Sequence, residues 1–204
     1  MQILSLKPYR KNKVQVFLQE EKPAFVLYQK EVEQYGLKEG GELTESTYAG
    51  ILEETLKKRA RNRALYLLAR QARTEWQLRK KLEEGFYPEE AVEEAISYVK
   101  GYRYLDDAGY AENFAEVRTK RKSRRMVEAE LLKRGIPRET VDAAMESLPS
   151  DEKDTIRSLV QKKFPCPQEA GREEAQKFLH SLVMKGFGFD DCRDVMRELE
   201  LDII

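Results

Sequence analysis

Cysteine is nearly absent from this chain, and what is absent narrows the function first. The two cysteines, Cys166 and Cys192, form no CxxC pair, so neither a disulfide framework nor a thiolate metal site is expected. Cys166 stands between Pro165 and Pro167, where it reads as part of a loop spacer rather than as a reactive thiol. Cys192 takes an apolar helix position and reads as core. The one histidine, His180, lies beside the apolar stripe of its helix and reads as a partly exposed packing residue. HExxH, the GxxxxGKS/T phosphate loop and a nucleophile elbow are all missing. Carboxylates are plentiful, but runs such as Glu89, Glu90, Glu93 and Glu94 read as solvated helix face. No enzyme activity, metal or cofactor is expected. No stretch reaches eighteen apolar residues. The first residues, MQILSLKPYRKNK, lack the apolar centre of a secretory leader, so the expected location is the cytoplasm, without membrane attachment. Net charge is also missing, with 37 basic against 37 acidic residues.

What the chain has is patterned hydrophobicity. Val14, Val16 and Leu18 alternate with Gln15, Phe17 and Gln19, the two-residue period of a strand. A turn at Glu20–Pro23 and a second apolar run, Ala24 to Tyr28, complete an expected β-hairpin within an N-terminal extension, residues 1–43. A short helical turn over Glu31–Tyr35 is expected to stop at Gly36, with a loop at Gly40-Gly41. Helical periodicity begins after Thr44, a suitable N-cap. Apolar stripes at helical spacing then follow one another to the C-terminus, for example Ala91, Val92, Ala95, Ile96 and Val99.

Three segments of this body align on a glycine: KKLEEGFYPEEAVEEAI, AELLKRGIPRETVDAAM and HSLVMKGFGFDDCRDVM. Gly85, Gly135 and Gly186 lie 50 and 51 residues apart. Leu82, Leu132 and Val183 precede them by three; Phe86, Ile136 and Phe187 follow directly; Glu89, Glu139 and Asp190 follow by four. Each glycine is expected to end a helix in the left-handed conformation that side chains disfavour. Each acid is expected in the first turn of the next helix, where the macrodipole favours it. A further helix precedes each pair, with Asp106 and Asp151 marking the starts in the second and third units. The expected fold is therefore mainly α, with three tandem three-helix repeats in an elongated, curved array. The boundaries read as a connecting helix at 44–60 and repeats at 61–101, 102–149 and 150–204.

Charge is distributed in blocks. From Lys57 to Lys81 ten basic residues face one acid, Glu75. Ten acids against Lys100 and Arg103 follow, and then six basic residues crowd into Arg118–Arg125. Blocks of this kind give a basic face without a basic total. Such a run is either a solvated face balanced by the neighbouring acids or a contact for phosphate or an acidic protein groove. The near absence of acid up to Lys81 sets the two readings level. Arg61, Arg63, Arg70, Arg73, Arg79, Lys80 and Lys81 make one candidate surface; Arg118, Lys120, Arg121, Lys122, Arg124 and Arg125 make the second. Tyr66, Tyr102, Tyr104 and Tyr110 have the rings to stack on bases, but most of them read as core or helix-junction residues.

The stretch Arg63 to Phe86, with Arg73-Thr74, Leu78 and Lys81-Leu82, resembles the first repeat of the RecX family. Tyr104-Leu105-Asp106-Asp107, then Tyr110-Ala111 and Phe114-Ala115, is similar to the motif that opens that family's second repeat, and Leu131–Pro137 to its helix break. Two positions depart from the pattern: Arg103 and Ser123 stand where the family often has glycine. The resemblance implies a regulator without an active site or cofactor. Such a protein would bind RecA and RecA–DNA filaments along the filament groove, inhibit the recombinase, ATPase and coprotease activities, act as a monomer, and touch single- or double-stranded DNA weakly and without selectivity. An independent helical DNA-binding module is the alternative reading. A nuclease or hydrolase, with carboxylates gathered around a metal, is a third.

Overall fold

A computed structural model describes residues 1–202 of the protein; the last two residues of the third repeat span, 150–204, lie outside them. The chain divides into two compact units, Met1–Asp106 and Asp107 onward.

The first unit opens with a three-stranded antiparallel sheet in the order β1 (Ser5–Tyr9), β2 (Lys13–Phe17), β3 (Phe25–Tyr28). The expected hairpin is β2–β3, registered from Lys13 opposite Tyr28 to Val16 opposite Phe25. β1 is an addition to it, pairing Ser5–Tyr9 with Phe17–Lys13. Its sequence, SLKPY, buries no residue fully. Pro8 is tolerated there because β1 lies at the sheet edge. Val14, Val16, Phe25 and Leu27 share one core with Ile51, Leu56, Leu78, Leu82, Val92 and Ile96, so the sheet is anchored on the first helical group rather than standing as an isolated ribbon.

After α1 (Gln29–Gln34) and left-handed Gly36, Thr44 caps α2 (Glu45–Ile51), its Oγ1 accepting the Thr47 N–H at 3.1 Å. α2 runs through a π-helical turn, Leu52–Leu56, into α3 (Lys57–Arg70) without a break. α4 (Glu75–Glu83) and α5 (Glu89–Gly101) complete the first three-helix group. The second unit carries α6 (Asp107–Thr119), α7 (Arg124–Lys133) and α8 (Arg138–Glu146) around one core, then α9 (Lys153–Lys163), α10 (Arg172–Met184) and α11 (Phe189–Glu198) around another. α6 begins one residue after Asp106. Asp151 accepts the N–H of Lys153 at 2.9 Å at the head of α9.

The helix breaks correct the glycine alignment. Gly135 and Gly186 take the left-handed conformation (φ 79° and 93°), but in the first group Phe86, not Gly85, does so (φ 59°). The bond that closes each break runs from Tyr87 to Leu82, from Ile136 to Leu131 and from Phe187 to Leu182, the six-to-one pattern of a Schellman turn. Phe86 is therefore the counterpart of Gly135 and Gly186, and the first repeat is displaced by one residue. The buried leucines at the breaks are Leu82, Leu131 and Leu182, each fully enclosed, whereas Leu132 is 40% exposed. Beyond the break Val92, Val141 and Cys192 correspond, as do Ile96, Met145 and Met196, all buried. Glu89, Glu139 and Asp190 sit in first turns as expected.

The two departures from the family pattern each have a local reason. Arg103 is left-handed (φ 56°) after α5, where Tyr104 N–H closes on Val99 at 2.9 Å; glycine suits that position. Arg103→Gly is expected to stabilise the first unit by about 0.5–1 kcal/mol, the relief of the left-handed penalty less the added freedom of the unfolded chain. A rise in its urea midpoint checks this, and an unchanged or lower midpoint contradicts it. Ser123, 2% exposed, caps α7 by accepting the Met126 N–H at 3.2 Å.

Candidate interaction surfaces

The two basic blocks separate into cations that are occupied and cations that are not. On α3 and α4, Arg61 pairs through Nε with Glu94 Oε1 at 3.2 Å and lies over the Tyr98 ring at 5.3 Å. Arg79 joins Glu75 at 3.3 Å and reaches Glu93 on α5. Lys100 adds a bond to Glu75 at 2.9 Å, which with Arg79 holds the Glu75 carboxyl below its ordinary range. Hydrogen bonds donated to these carboxylates, Glu93 first, push the Arg79 guanidinium up. Lys81 holds Glu84 at 2.6 Å. The acidic helix thus neutralises Arg61 and Arg79, two of the half-buried members of the block.

Arg63, Arg70, Arg73 and Lys80 have no carboxylate within ion-pair distance among the described residues. Arg63 and Arg70 lie over the ring of Tyr66, at 5.4 and 4.6 Å, and Lys80 lies over Trp76 at 5.1 Å. Both rings are 46% exposed. Arg73 reaches Gln71 Oε1 at 3.5 Å, and its Nε is buried without a partner. Tyr66 is therefore a surface residue, not core, and Tyr102 and Tyr104 are too, at 60% and 58% exposure. Tyr110 is half-buried and accepts a bond from Arg134 at 3.0 Å.

The second block divides likewise. Arg124 is structural: its guanidinium donates to the carbonyls of Met145, Leu148 and Pro149 at 2.6, 3.0 and 2.9 Å, closing the C-terminal end of α8. Its own N–H donates to Glu152 at 2.5 Å. Lys122 pairs with Glu130, and Lys120 with Glu116. Arg121 and Arg125 stay exposed, and half-buried Arg118 lies over the Phe114 ring at 5.2 Å.

Cys192 is fully buried, and burial pushes its thiol up to about 11, as suits a core residue. Cys166 and His180 are exposed. Among the described residues no group of three His, Cys, Asp or Glu side chains gathers as metal ligands, and no helix is long and apolar enough to cross a membrane. Sequence reasoning did not find Lys13, Tyr28 and Arg59, which continue the first surface onto the sheet. Arg59 donates to the Val26 carbonyl at 3.3 Å and to Glu31 at 2.5 Å, and it lies over Tyr28 at 4.7 Å. Arg59 is one of the ten basic residues from Lys57 to Lys81, whereas Lys13 at the head of β2 and Tyr28 at the end of β3 lie far from that block in sequence.

Three-helix groups in tandem, with their unpaired cations and exposed rings on helix faces, define a helical-repeat protein whose notable chemistry lies on its surface. Its family follows from comparison with known proteins. Residues 60–98 match the model for RecX, first three-helix domain, and residues 106–145 that for RecX, second three-helix domain. Regulatory protein RecX of Caldanaerobacter subterraneus subsp. tengcongensis is 35% identical over 164 residues, covering 79% of this chain and 81% of that protein. That of Clostridium botulinum is 26% identical over 199 residues, covering 96% and 93%. A crystal structure of regulatory protein RecX superposes with a TM-score of 0.56 at 26% identity, covering 95% of this chain and 98% of that one. RecX from Lactobacillus salivarius, at 23% identity and a TM-score of 0.57, covers 71% and 96% and shares the fold. The chain belongs to the RecX family of regulatory proteins.

Proposed function

We propose that the protein regulates RecA. It binds RecA and RecA–DNA filaments along the filament groove and modulates, mainly inhibits, recombination, ATP hydrolysis and coprotease activity. It acts in the cytoplasm as a monomer, with no catalysis or cofactor of its own. Membership of a family of regulatory proteins carries the reading, and what the sequence resemblance implies about that family supplies RecA. The unpaired cations support two contact surfaces, Arg63, Arg70, Arg73 and Lys80 on one and Arg118, Arg121 and Arg125 on the other. Bridging neighbouring protomers would disfavour the subunit movements that turnover needs, because a ligand that prefers one arrangement shifts the population toward it.

The test is DNA-dependent ATP hydrolysis by the cognate RecA with the protein titrated in. Hydrolysis is expected to fall as the filament approaches stoichiometric coverage; an unchanged rate there sinks the reading. The acid-free run Lys57–Arg70 favours one rival, an independent DNA-binding module, which would show tight, sequence-selective binding without RecA.

A further inference from the structure

The second and third repeats each enclose a core of their own, and the two cores have no residue in common. They meet at a short polar stretch at the head of α7. The Ser123 N–H donates to the Lys185 carbonyl, in the turn between α10 and α11, at 3.0 Å. The Arg124 N–H donates to Glu152 Oε1, at the head of α9, at 2.5 Å. The Arg124 guanidinium holds the carbonyls of Met145, Leu148 and Pro149, and so fixes the segment from which α9 departs. Beside these bonds lies a cleft of about 250 Å³ whose two walls differ in charge. Lys120, Lys122 and Arg124 line the wall of the second repeat, with Glu116 paired to Lys120; Asp151 and Glu152 line the wall of the third.

A joint of this kind differs from a packed one. Parting two apolar faces exposes area that water disfavours, whereas parting these walls exposes groups that water solvates. The third repeat can therefore leave the second with both cores intact. Opening also changes the charge at the loop between α6 and α7. Asp151 and Glu152 travel with α9, while the cations of the loop stay behind. Arg121 and Arg125 flank the joint; both are exposed, with no carboxylate within ion-pair distance among the described residues. A negative ligand on these two arginines is opposed by the neighbouring acids when the joint is closed and freed of them when it is open. A ligand shifts an equilibrium by its preference for one state, and here charge supplies the preference.

We propose that the joint between the second and third repeats is an electrostatic latch. An anionic partner seated on Arg121 and Arg125 releases it, and the third repeat then moves as a unit. The inference deepens the second contact surface of the proposed function and rests on that reading for its setting, but its test leaves RecA out.

The probe is inorganic tripolyphosphate, which brings negative charge alone, and the readout is amide hydrogen exchange resolved by NMR on the full chain. The Ser123 and Arg124 N–H groups are bonded across the joint and exchange when it opens; those of Leu131 and Leu182, inside α7 and α10, exchange when a repeat unfolds. In the free protein the first pair is expected to exchange at least roughly a hundredfold faster than the second. Tripolyphosphate is expected to speed the first pair by about tenfold more and to leave the second unchanged, and Arg121→Gln with Arg125→Gln to abolish that response. Glu152→Asp keeps the charge but falls short of the Arg124 N–H. It is expected to speed exchange at Ser123, whose own bond it does not touch, by about tenfold, the loss of one hydrogen bond to a charged group. Movement of the repeat itself is read by electron–electron resonance between spin labels at Glu139→Cys and His180→Cys in a Cys166→Ser background, where buried Cys192 is out of reach of the label. The label-to-label distance is expected to lengthen and spread with tripolyphosphate. Ser123 exchanging no faster than Leu131, a distance unchanged by tripolyphosphate, or a response that survives loss of both arginines overturns the latch. Circular dichroism confirms that each variant is folded. RecA-dependent ATP hydrolysis, measured on the parent, separates the two ideas. If hydrolysis slows while the joint stays shut, only the latch falls; if the joint opens while hydrolysis is unaffected, only the RecA reading falls.

Discussion

Gly186→Ala is expected to destabilise the second unit by about 2–4 kcal/mol, combining a left-handed residue with an overpacked contact. Gly186 has φ 93°. A methyl group there would overlap Ser123 Oγ and press on Met126 Cβ at 3.2 Å and Ser123 Cβ at 3.3 Å. Those residues begin α7, and the Ser123 N–H donates to the Lys185 carbonyl at 3.0 Å. The turn between α10 and α11 is thus seated against the cap of α7, and the substitution forces the two groups of the second unit apart. Gly36→Ala is the control, with φ 64° and no heavy atom within 4 Å of the added carbon. It is expected to cost only about 1–2 kcal/mol, the left-handed penalty alone. Combining Gly186→Ala with Ser123→Gly should recover part of the loss, since the bulk in the way is then gone. Urea unfolding measures all four proteins, and equal losses at positions 36 and 186 would show that the contact carries no energy.

Leu131→Ala is expected to cost about 2–5 kcal/mol and Leu132→Ala under about 0.5 kcal/mol, the difference between emptying a core site and trimming a surface one. Leu131 is fully enclosed among Val127, Ile136, Val141 and Met145, while Leu132 is 40% exposed. Alignment on the glycines points to the opposite residue. The thermal midpoints of the two variants decide between the registers, and the same contrast is expected between Leu182 and the half-buried Val183.

The misalignment has a physical source. Gly85, Gly135 and Gly186 look equivalent because a helix stops near each, and glycine is the residue that signals a stop. In the first group the stop falls one residue later, on Phe86, where no residue type advertises a left-handed backbone. The period of the body was legible because three cores impose the same apolar spacing; the phase of the first repeat was not. β2 and β3 could be read from alternating valines and a run of apolar residues. β1 could not, because Pro8 and polar neighbours disguise an edge strand that pairs through its backbone. The basic blocks were legible as composition. Which of their cations stay unpaired was not, since Arg61 meets Glu94 and Arg79 meets Glu93 across helix–helix contacts, and Arg124 closes a helix end more than twenty positions away. The exposure of Tyr66 and Trp76 was hidden for the same reason: an aromatic on a helix looks like core until the packing is known.

Phe86 bears on how the three units could have diverged. Its ring meets Tyr9 edge-on, with centroids 5.6 Å apart, so the residue in the awkward backbone position is also one that grips the end of β1. Copying the relaxed glycine turn of a sister unit into the first would ease the backbone and let go of the strand. The three units share an ancestral-looking plan, yet they are not spare parts for one another. The sheet that shares its core with the first repeat thus ties that repeat to its place beside the strands.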